Sequence, residues 1–93
     1  MYQIIMPNSV KKDMKKLDKA AVKLIIRQLE KLSTNPRLGT RLSGDLSYLF
    51  KLSVRQQKIE YRVVYKIIDK RLEIHLIHIG TRENFYDNLR RRL

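Results

Sequence analysis

The stretch KIEYRVVYKIIDKRLEIHLIHI, residues 58–79, decides the fold. It contains two runs rich in β-branched and aromatic residues, 58–68 and 71–79, and such runs are typical of β-strands. Asp69 and Lys70 separate the two runs. A two-residue separation of this kind predicts a tight hairpin between antiparallel strands.

Two further strands are predicted on the amino-terminal side of this hairpin. The run YLFKLSV (48–54) precedes it directly, and the short run YQIIM (2–6) ends at Pro7. Residues 37–47 contain Gly39 and Gly44 and have no clear periodicity, so we expect a loop there.

Two helices are predicted between the first strand and this loop. Apolar residues in 10–17 recur at helical spacing with lysines between them, which indicates an amphipathic helix with a basic outer face. Asn8 or Ser9 is the expected N-cap of this helix. Asp18 can cap a second helix, which stops before Pro36.

The element order is therefore β-α-α-β-β-β, and DNLRRRL (87–93) is either a short C-terminal helix or a frayed basic tail. We expect an α+β fold in a single domain, 1–93, with a small, mostly antiparallel sheet packed on an αα-hairpin. The other sheet face should be open, or covered only at one edge.

Charge is the strongest feature of the composition. Lysine and arginine number 21 against 9 acidic residues, which gives a formal net charge of +12 and suggests a nucleic acid partner. The alternative is a protein that is merely basic. The chain has no cysteine, which excludes disulfides, thiolate zinc sites and thiol nucleophiles. With no predicted signal peptide or membrane span, we expect a cytoplasmic protein.

A metal site is not expected, and neither is a cofactor. His75 and His78 are three residues apart on a predicted strand, so alternation should point them to opposite faces. Glu73 shares a face with His75, but two ligands alone make a weak case. The few acidic residues are scattered, which argues against a two-metal nuclease or a two-carboxylate glycosidase.

Cationic residues on the strands are the main candidates for a functional site. Lys51, Ser53 and Arg55 share one face of their predicted strand because side chains alternate along it. Arg62 has apolar neighbours on a strand that should be central, and an arginine there must face water or an anion.

Two more candidates, Arg82 and Tyr86, follow the last strand. If the strands are adjacent, Lys51, Arg62 and Arg82 converge on the open sheet face. Each candidate also has a structural alternative: Lys51 as a solvated residue, Arg62 paired with Glu60 or Glu73, and Tyr86 as a lid on the core.

Such a set of residues suits RNA cleavage by attack of the ribose 2′-OH on the adjacent phosphate. This reaction needs a clamp on the phosphate, stabilisation of transition-state charge and two proton transfers, and it needs no metal. Arginine binds phosphate bidentately. A tyrosine can stack on a base, although its ordinary pKa of about 10 makes it a poor base at neutral pH.

The chain resembles the RelE-like toxins of the RelE/ParE superfamily. The resemblance rests mainly on FKLSVR…EYRVVYKIIDKRLEIHLIHIGTRENFY (50–86), supported by SVKKDMKKLDK and NPRLGTRLSGDL in the amino-terminal half. It implies a small antiparallel sheet with two helices on one side. It also implies the toxin of a type II toxin–antitoxin pair, a metal-independent endoribonuclease that cuts mRNA in the ribosomal A site.

The resemblance implies the following site residues. The catalytic set is Lys51, Arg62, Arg82 and Tyr86, and Arg55 is a further basic residue that would bind RNA. The implied partners are a RelB-like antitoxin in a hetero-oligomer, the mRNA and the ribosome.

The chain departs from the RelE pattern at several positions. Ser53 and Thr81 replace basic residues, the loop QQKIE is longer than usual, and Tyr86 comes slightly earlier. Lys58 and Lys66 are candidates to compensate, and with Arg55 and Ser53 they complete the expected RNA-binding set. The sequence does not indicate which group accepts the 2′-OH proton. Two alternatives to the nuclease stay open: a ParE-like inhibitor of DNA gyrase, and a non-catalytic basic binding module or decayed toxin.

Overall fold

One five-stranded sheet organises the computed structural model, which describes all 93 residues. The elements in chain order are β1 (Gln3–Ile5), α1 (Asn8–Lys15), α2 (Lys19–Thr34), β2 (Thr40–Arg41), β3 (Phe50–Gln56), β4 (Ile59–Ile68), β5 (Glu73–Thr81) and α3 (Phe85–Arg92). The α+β class predicted from the sequence is confirmed, and of the two alternatives for the C-terminal segment the structure has the helix. None of the helices is both long enough and apolar enough to cross a membrane.

The strands lie in the order β1-β5-β4-β3-β2. The strands β2, β3, β4 and β5 pair antiparallel, and β1 pairs parallel with the start of β5. The sheet is therefore mostly antiparallel, as predicted. The strand β2 was not predicted, because its two residues lie in the glycine-containing stretch that was interpreted as a loop.

The main core lies between the sheet and the helices α1 and α2. Its centre is formed by fully buried side chains from both layers, among them Val10, Ile25, Leu32, Val63 and Tyr65. Every second residue of β3 and β4 faces this core, which is the alternation that the sequence indicated. The Tyr65 hydroxyl also donates to the carbonyl of Pro36 at 2.8 Å and accepts from the N–H of Gly39 at 3.0 Å.

The opposite sheet face, here called the second face, is partly covered. A smaller core forms on it from the segment 42–49, the centre of β4 and α3; its members are Leu42, Leu46, Leu49, Val64, Phe85 and Leu89. An ion pair between Arg90 and Asp45 joins the two covering segments. The expectation of an open face, or one covered only at an edge, was therefore wrong. The end of the face near the β3–β4 turn is left uncovered by this core, and so is the region of Lys66 toward the opposite end.

The hairpin between β3 and β4 is tighter than the sequence suggested. β3 runs to Gln56 and β4 begins at Ile59, so only Gln57 and Lys58 connect the strands, with Gln57 at φ +56°. The stretch QQKIE is thus mostly strand and not a long loop. The β4–β5 connection, in contrast, is longer than predicted, because a 3₁₀ turn at 69–71 and a left-handed Leu72 replace the tight two-residue turn.

The helix starts are only partly as predicted. The Asp18 carboxylate accepts from the N–H of Ala21 at 2.8 Å and caps α2, and α2 ends before Pro36 as expected. Neither Asn8 nor Ser9 caps α1. Instead α1 begins at Asn8 with Pro7 in the capping position and no side-chain cap. The fixed φ of proline suits the entry to a helix, which accounts for the shift.

A β-bulge in β5 changes the orientation of the two histidines. The register shifts between Val64 and Tyr65, so that His75 lies opposite Lys66 and His78 lies opposite Val64. Lys66 and Val64 are two residues apart on β4 and share the second face, so the expectation that the histidines point to opposite faces was wrong. Their surroundings nevertheless differ: the His75 ring contacts Glu73 at 2.9 Å, whereas His78 is buried beside Asp13. No group of three or more potential ligands lies together.

Candidate active site

The strand register brings the predicted cations together on the second face. Ser53 lies opposite Arg62, and Arg62 lies opposite Gly80. One row further toward the β3–β4 turn, Arg55 lies opposite Glu60. Directly opposed residues of antiparallel strands place their side chains on the same face. This end of the sheet is therefore a platform of polar and charged side chains from β3, β4 and β5.

A shallow depression with a volume of about 530 Å³ lies at this end of the sheet. We call it the cationic depression; its walls are Arg55, Lys58, Ile59, Glu60, Thr81, Arg82 and Glu83. Three cations come from three different segments: the end of β3, the turn before β4 and the end of β5. The tight turn explains why Lys58 joins the group. The depression is open to solvent, because Arg55, Lys58 and Arg82 are all exposed.

Arg62 is held next to the cationic depression, where it is mostly buried. Its side chain is only 17% exposed, and a terminal nitrogen lies 3.4 Å from the Glu60 carboxylate. Its guanidinium also lies over the Phe85 ring, 5.7 Å from the centroid. The pairing of Arg62 with Glu60 is one of the alternatives that the sequence left open. Its Nε is buried without a hydrogen-bond partner, so one donor of this arginine remains free.

Glu60 connects Arg62 with the cationic depression. Arg82 lines the depression together with Glu60, and Glu60 is the residue that contacts Arg62. That the two guanidinium groups share one phosphate stays a prediction.

Phe85 is an important residue that sequence reasoning missed. It is 2% exposed, it lies under the Arg62 guanidinium, and its ring meets the Tyr86 ring edge-on at 5.5 Å. Tyr86 itself is 41% exposed and is therefore not the lid of the core. The spacing of Phe85 and Leu89 by four residues was the available signal, since it is the spacing of one helical face.

The remaining predicted site residues lie around the depression or away from it. Ser53 is exposed beside Arg62, whereas Lys51 is half-buried one row further along, opposite Val64. Lys66 borders a separate depression with His75, and its ammonium lies 6.0 Å from the Tyr48 ring. Lys66 is four positions after Arg62 on β4, about 13 Å along a strand. The structure thus does not bring Lys66 to the cationic depression.

A buried polar junction fixes α3 beside the site. Asp13 of α1 accepts from the N–H of Ile79 at 3.1 Å and from Arg92 of α3 at 2.6 Å. The Asp13 carboxylate therefore binds a backbone N–H on the edge of β5, beyond the residues that pair with β1. Burial raises the pKa of Asp13, but the bonds from Arg92 and Ile79 and the charge of Arg92 outweigh it, so the pKa lies below its ordinary value.

His78 completes this junction as a neutral group. Its Nδ1 is buried without a hydrogen bond, 3.4 Å from the Asp13 carboxylate, and its ring packs on Phe85 with centroids 5.1 Å apart. Burial lowers the pKa of His78, and the charges of Arg92 and Lys16 lower it further. Asp13 acts in the opposite direction, but the net pKa lies below the ordinary value.

The sequence is similar to that of known bacterial toxins. Residues 4–90 match the model of a family described as ParE-like toxin of type II bacterial toxin–antitoxin systems. A RelE-like toxin protein from Escherichia coli is 29% identical over 82 residues, which cover 88% of this chain and 84% of that protein.

Solved structures show the same fold at low sequence identity. A mutant of the Escherichia coli toxin RelE in the free state aligns with a TM-score of 0.79 at 21% identity, covering 99% of this chain and 97% of that one. The toxin in the Escherichia coli RelBE toxin–antitoxin complex has a TM-score of 0.76 at 22% identity, covering 89% and 99%. The RelBE2 toxin–antitoxin complex of Mycobacterium tuberculosis has a TM-score of 0.72 at 24% identity, covering 87% and 98%.

Proposed function

Because this chain belongs to the ParE-like toxins of type II bacterial toxin–antitoxin systems, we propose that it is a ribosome-dependent endoribonuclease. In this proposal it cleaves mRNA in the ribosomal A site by attack of a 2′-OH on the adjacent phosphate, without a metal. The resemblance to the RelE/ParE superfamily that the sequence indicated is confirmed by the family match and by the RelE-like relative.

The observation that carries the proposal is the cationic depression. Arg55, Lys58 and Arg82 surround one open concavity, and Arg62 lies beside it with an unpartnered donor. Three cations line the depression against two carboxylates, Glu60 and Glu83, and Glu60 also contacts Arg62, so positive charge is in excess. A phosphodiester of RNA would supply the missing negative charge, and planar guanidinium groups would bind its oxygens bidentately.

The residues of the site take different roles in the proposal. Arg82 and Arg62 bind the scissile phosphate and stabilise the extra charge of the transition state. Tyr86 offers an exposed ring on which a base can stack, held in position by Phe85. Arg55 and Lys58 bind the neighbouring backbone. A further row of RNA contacts along the second face would use Ser53, Lys51 and Lys66.

The partners follow from the same assignment. Solved relatives include RelB–RelE type toxin–antitoxin complexes from Escherichia coli, Mycobacterium tuberculosis and Pyrococcus horikoshii. We propose that a RelB-like antitoxin binds this chain in a hetero-oligomer, and that the active toxin acts on translated mRNA at ribosomes in the cytoplasm.

The proposal is tested by inducing the protein in a bacterium and mapping RNA ends on translated messages. We expect cuts within codons that require active translation. Arg82→Ala should lower the cleavage rate by about 10²–10³-fold, because it removes one electrostatic contact to the transition state. Arg27→Ala is the matched control: Arg27 is exposed on α2, in the layer behind the sheet, and its loss should leave cleavage unchanged.

Each other outcome points to a different function. Growth arrest with intact messages and a DNA-damage response would contradict the nuclease and favour a gyrase inhibitor. Absence of toxicity would favour a basic binding module. Equal cleavage by wild type and Arg82→Ala would contradict the assigned site.

A further inference from the structure

We propose that Glu60 is the general base that accepts the 2′-OH proton, an inference that rests on the proposed nuclease function. A base must carry no proton before the reaction starts. Around the cationic depression, the side chains of Arg55, Lys58, Arg62 and Arg82 offer hydrogen-bond donors and no acceptor in the cationic forms that arginine and lysine ordinarily have at neutral pH. Carboxylates are ordinarily ionised at that pH, so the acceptor must be one of the two that line the depression.

The structure favours Glu60 over the second carboxylate, Glu83. Glu60 lies within β4, paired in register with Arg55 on β3, and is half-buried. Glu83 lies in the exposed turn between β5 and α3 and makes no ion pair. A rigid strand holds a catalytic group at a defined distance, which a surface turn does not. The two-residue turn at Gln57 and Lys58 creates this position, because it sets the register that aligns Glu60 with Arg55.

The contacts of Glu60 leave it able to react. One carboxylate oxygen, Oε2, lies 3.4 Å from Arg62, a long and weak contact, and the carboxylate makes no other side-chain hydrogen bond. The other oxygen, Oε1, is free for the 2′-OH. Since the carboxylate contacts Arg62 and lines the same depression as Arg82, a phosphate bound by these arginines would bring its own ribose close to Glu60.

The proposed step is balanced within the RNA and the protein. Glu60 takes the proton of the 2′-OH, and the 2′-oxygen forms a bond to phosphorus. The bond between phosphorus and the 5′-oxygen of the next nucleotide breaks, and this oxygen leaves with a proton from water, which the open depression admits. The products are a 2′,3′-cyclic phosphate and a 5′-hydroxyl, with Glu60 protonated until it returns its proton to solvent.

The test is single-turnover cleavage of mRNA on purified ribosomes between about pH 6 and pH 9, with the cyclic phosphate product measured. In the wild type, we expect a rate that changes little with pH, as for a carboxylate base in general over this range. Glu60→Gln should lower the rate by about 10²–10⁴-fold and leave mRNA binding intact. Its rate should then rise roughly tenfold per pH unit, because hydroxide must replace the missing base.

This slope separates a base from a residue that only positions Arg62. The Gln amide oxygen can still accept from Arg62, so a positioning role would leave both the rate and its flat pH profile largely unchanged. Glu83→Gln tests the other carboxylate of the depression, and the control is Glu30→Gln on the exposed side of α2, which should keep the wild-type rate and the flat profile.

The outcomes distinguish this inference from the function on which it rests. Cleavage by the wild type, with a flat profile retained in Glu60→Gln, would overturn the role of Glu60 and leave the nuclease in place. If the pH slope appears in Glu83→Gln instead, the proton acceptor is Glu83 in the turn, and the role of Glu60 is overturned as well. If the wild type makes no cyclic phosphate, the nuclease proposal and this inference both fall.

Discussion

Burial shifts the pKa of single side chains in this protein as much as neighbouring charges do. His78 is the clearest case, because it is buried among Asp13, Arg92, Lys16 and the Phe85 ring. Its lowered pKa means that the folded protein keeps the neutral form, while the unfolded chain takes up a proton at the ordinary pKa of about 6.5. Folding is therefore linked to pH through this residue.

The linkage predicts that stability falls in mild acid. Above pH 6.5 His78 is neutral in both the folded and the unfolded state, so it does not make stability depend on pH. Below pH 6.5 the unfolded state binds more protons than the folded state. The free energy of unfolding therefore decreases as the pH is lowered from 6.5 to the pKa of His78 in the folded protein. Asp13, whose pKa is also lowered, adds a further loss in more strongly acidic solution. Denaturant unfolding between about pH 7.5 and pH 5 should show this decline, and His78→Gln should remove it.

His75→Gln provides the control, because His75 is the other histidine and contacts Glu73 on the partly exposed side of β5. We expect the decline between pH 7.5 and pH 5 to persist in that variant. The same decline in His78→Gln would show that the buried histidine does not cause it.

At the level of secondary-structure elements, α3 gives the second face its shape. Phe85 and Leu89, one turn apart, are buried against Val64, and Arg92 bonds to Asp13 at the far end of the helix. The left-handed Asn84, at φ +52°, turns the chain from β5 into this helix. Since Phe85 lies under Arg62, the packing of α3 also sets the position of a proposed catalytic side chain.

Truncating Leu89 tests this packing. Leu89 is fully buried, so Leu89→Ala removes apolar contacts and leaves a cavity, at a cost of about 2–5 kcal/mol in the free energy of unfolding. Arg91→Ala, on the exposed side of the same helix, should change it by no more than about 0.5 kcal/mol. Equal costs in urea unfolding would mean that α3 does not pack on the sheet.

Elements with a strong periodicity of apolar residues were predictable from the sequence, and elements without such a periodicity were not. The alternation in 58–68 and the cap at Asp18 were sufficient to locate β4 and α2. The leucines of 42–49 follow no period and form a core only by folding back on the sheet, so the covered second face was not foreseen. The bulge near Ile77 likewise depends on tertiary packing, which explains the error on His75 and His78.

The candidate site was predictable in its residue types and less so in its grouping. Arg82 and Arg55 were expected on one face, and the structure brings them into one depression. Lys58 joins them, and Glu60 acquires its position, only because the turn has two residues, which the sequence pattern did not indicate. Turn length sets strand register, and register decides which side chains meet.

On the scale of the whole molecule, the net charge of +12 extends well beyond the candidate site. Exposed lysines cover α1 and α2 in the helical layer, and arginines cluster at the end of the second face near the β3–β4 turn. A field of this kind speeds the approach of any polyanion, and its effect weakens as salt increases. General attraction to RNA therefore does not identify the active site, which must be located by the position of a bound phosphate.

The most direct test is the structure of this protein bound on a ribosome to an mRNA whose scissile nucleotide carries a 2′-O-methyl group, which prevents cleavage. We expect the scissile phosphate in the cationic depression, with its oxygens within about 3 Å of the Arg82 and Arg62 guanidinium groups. The 2′-oxygen should face Glu60. A phosphate bound instead to the lysines of α1 and α2, with the depression facing solvent, would contradict the account.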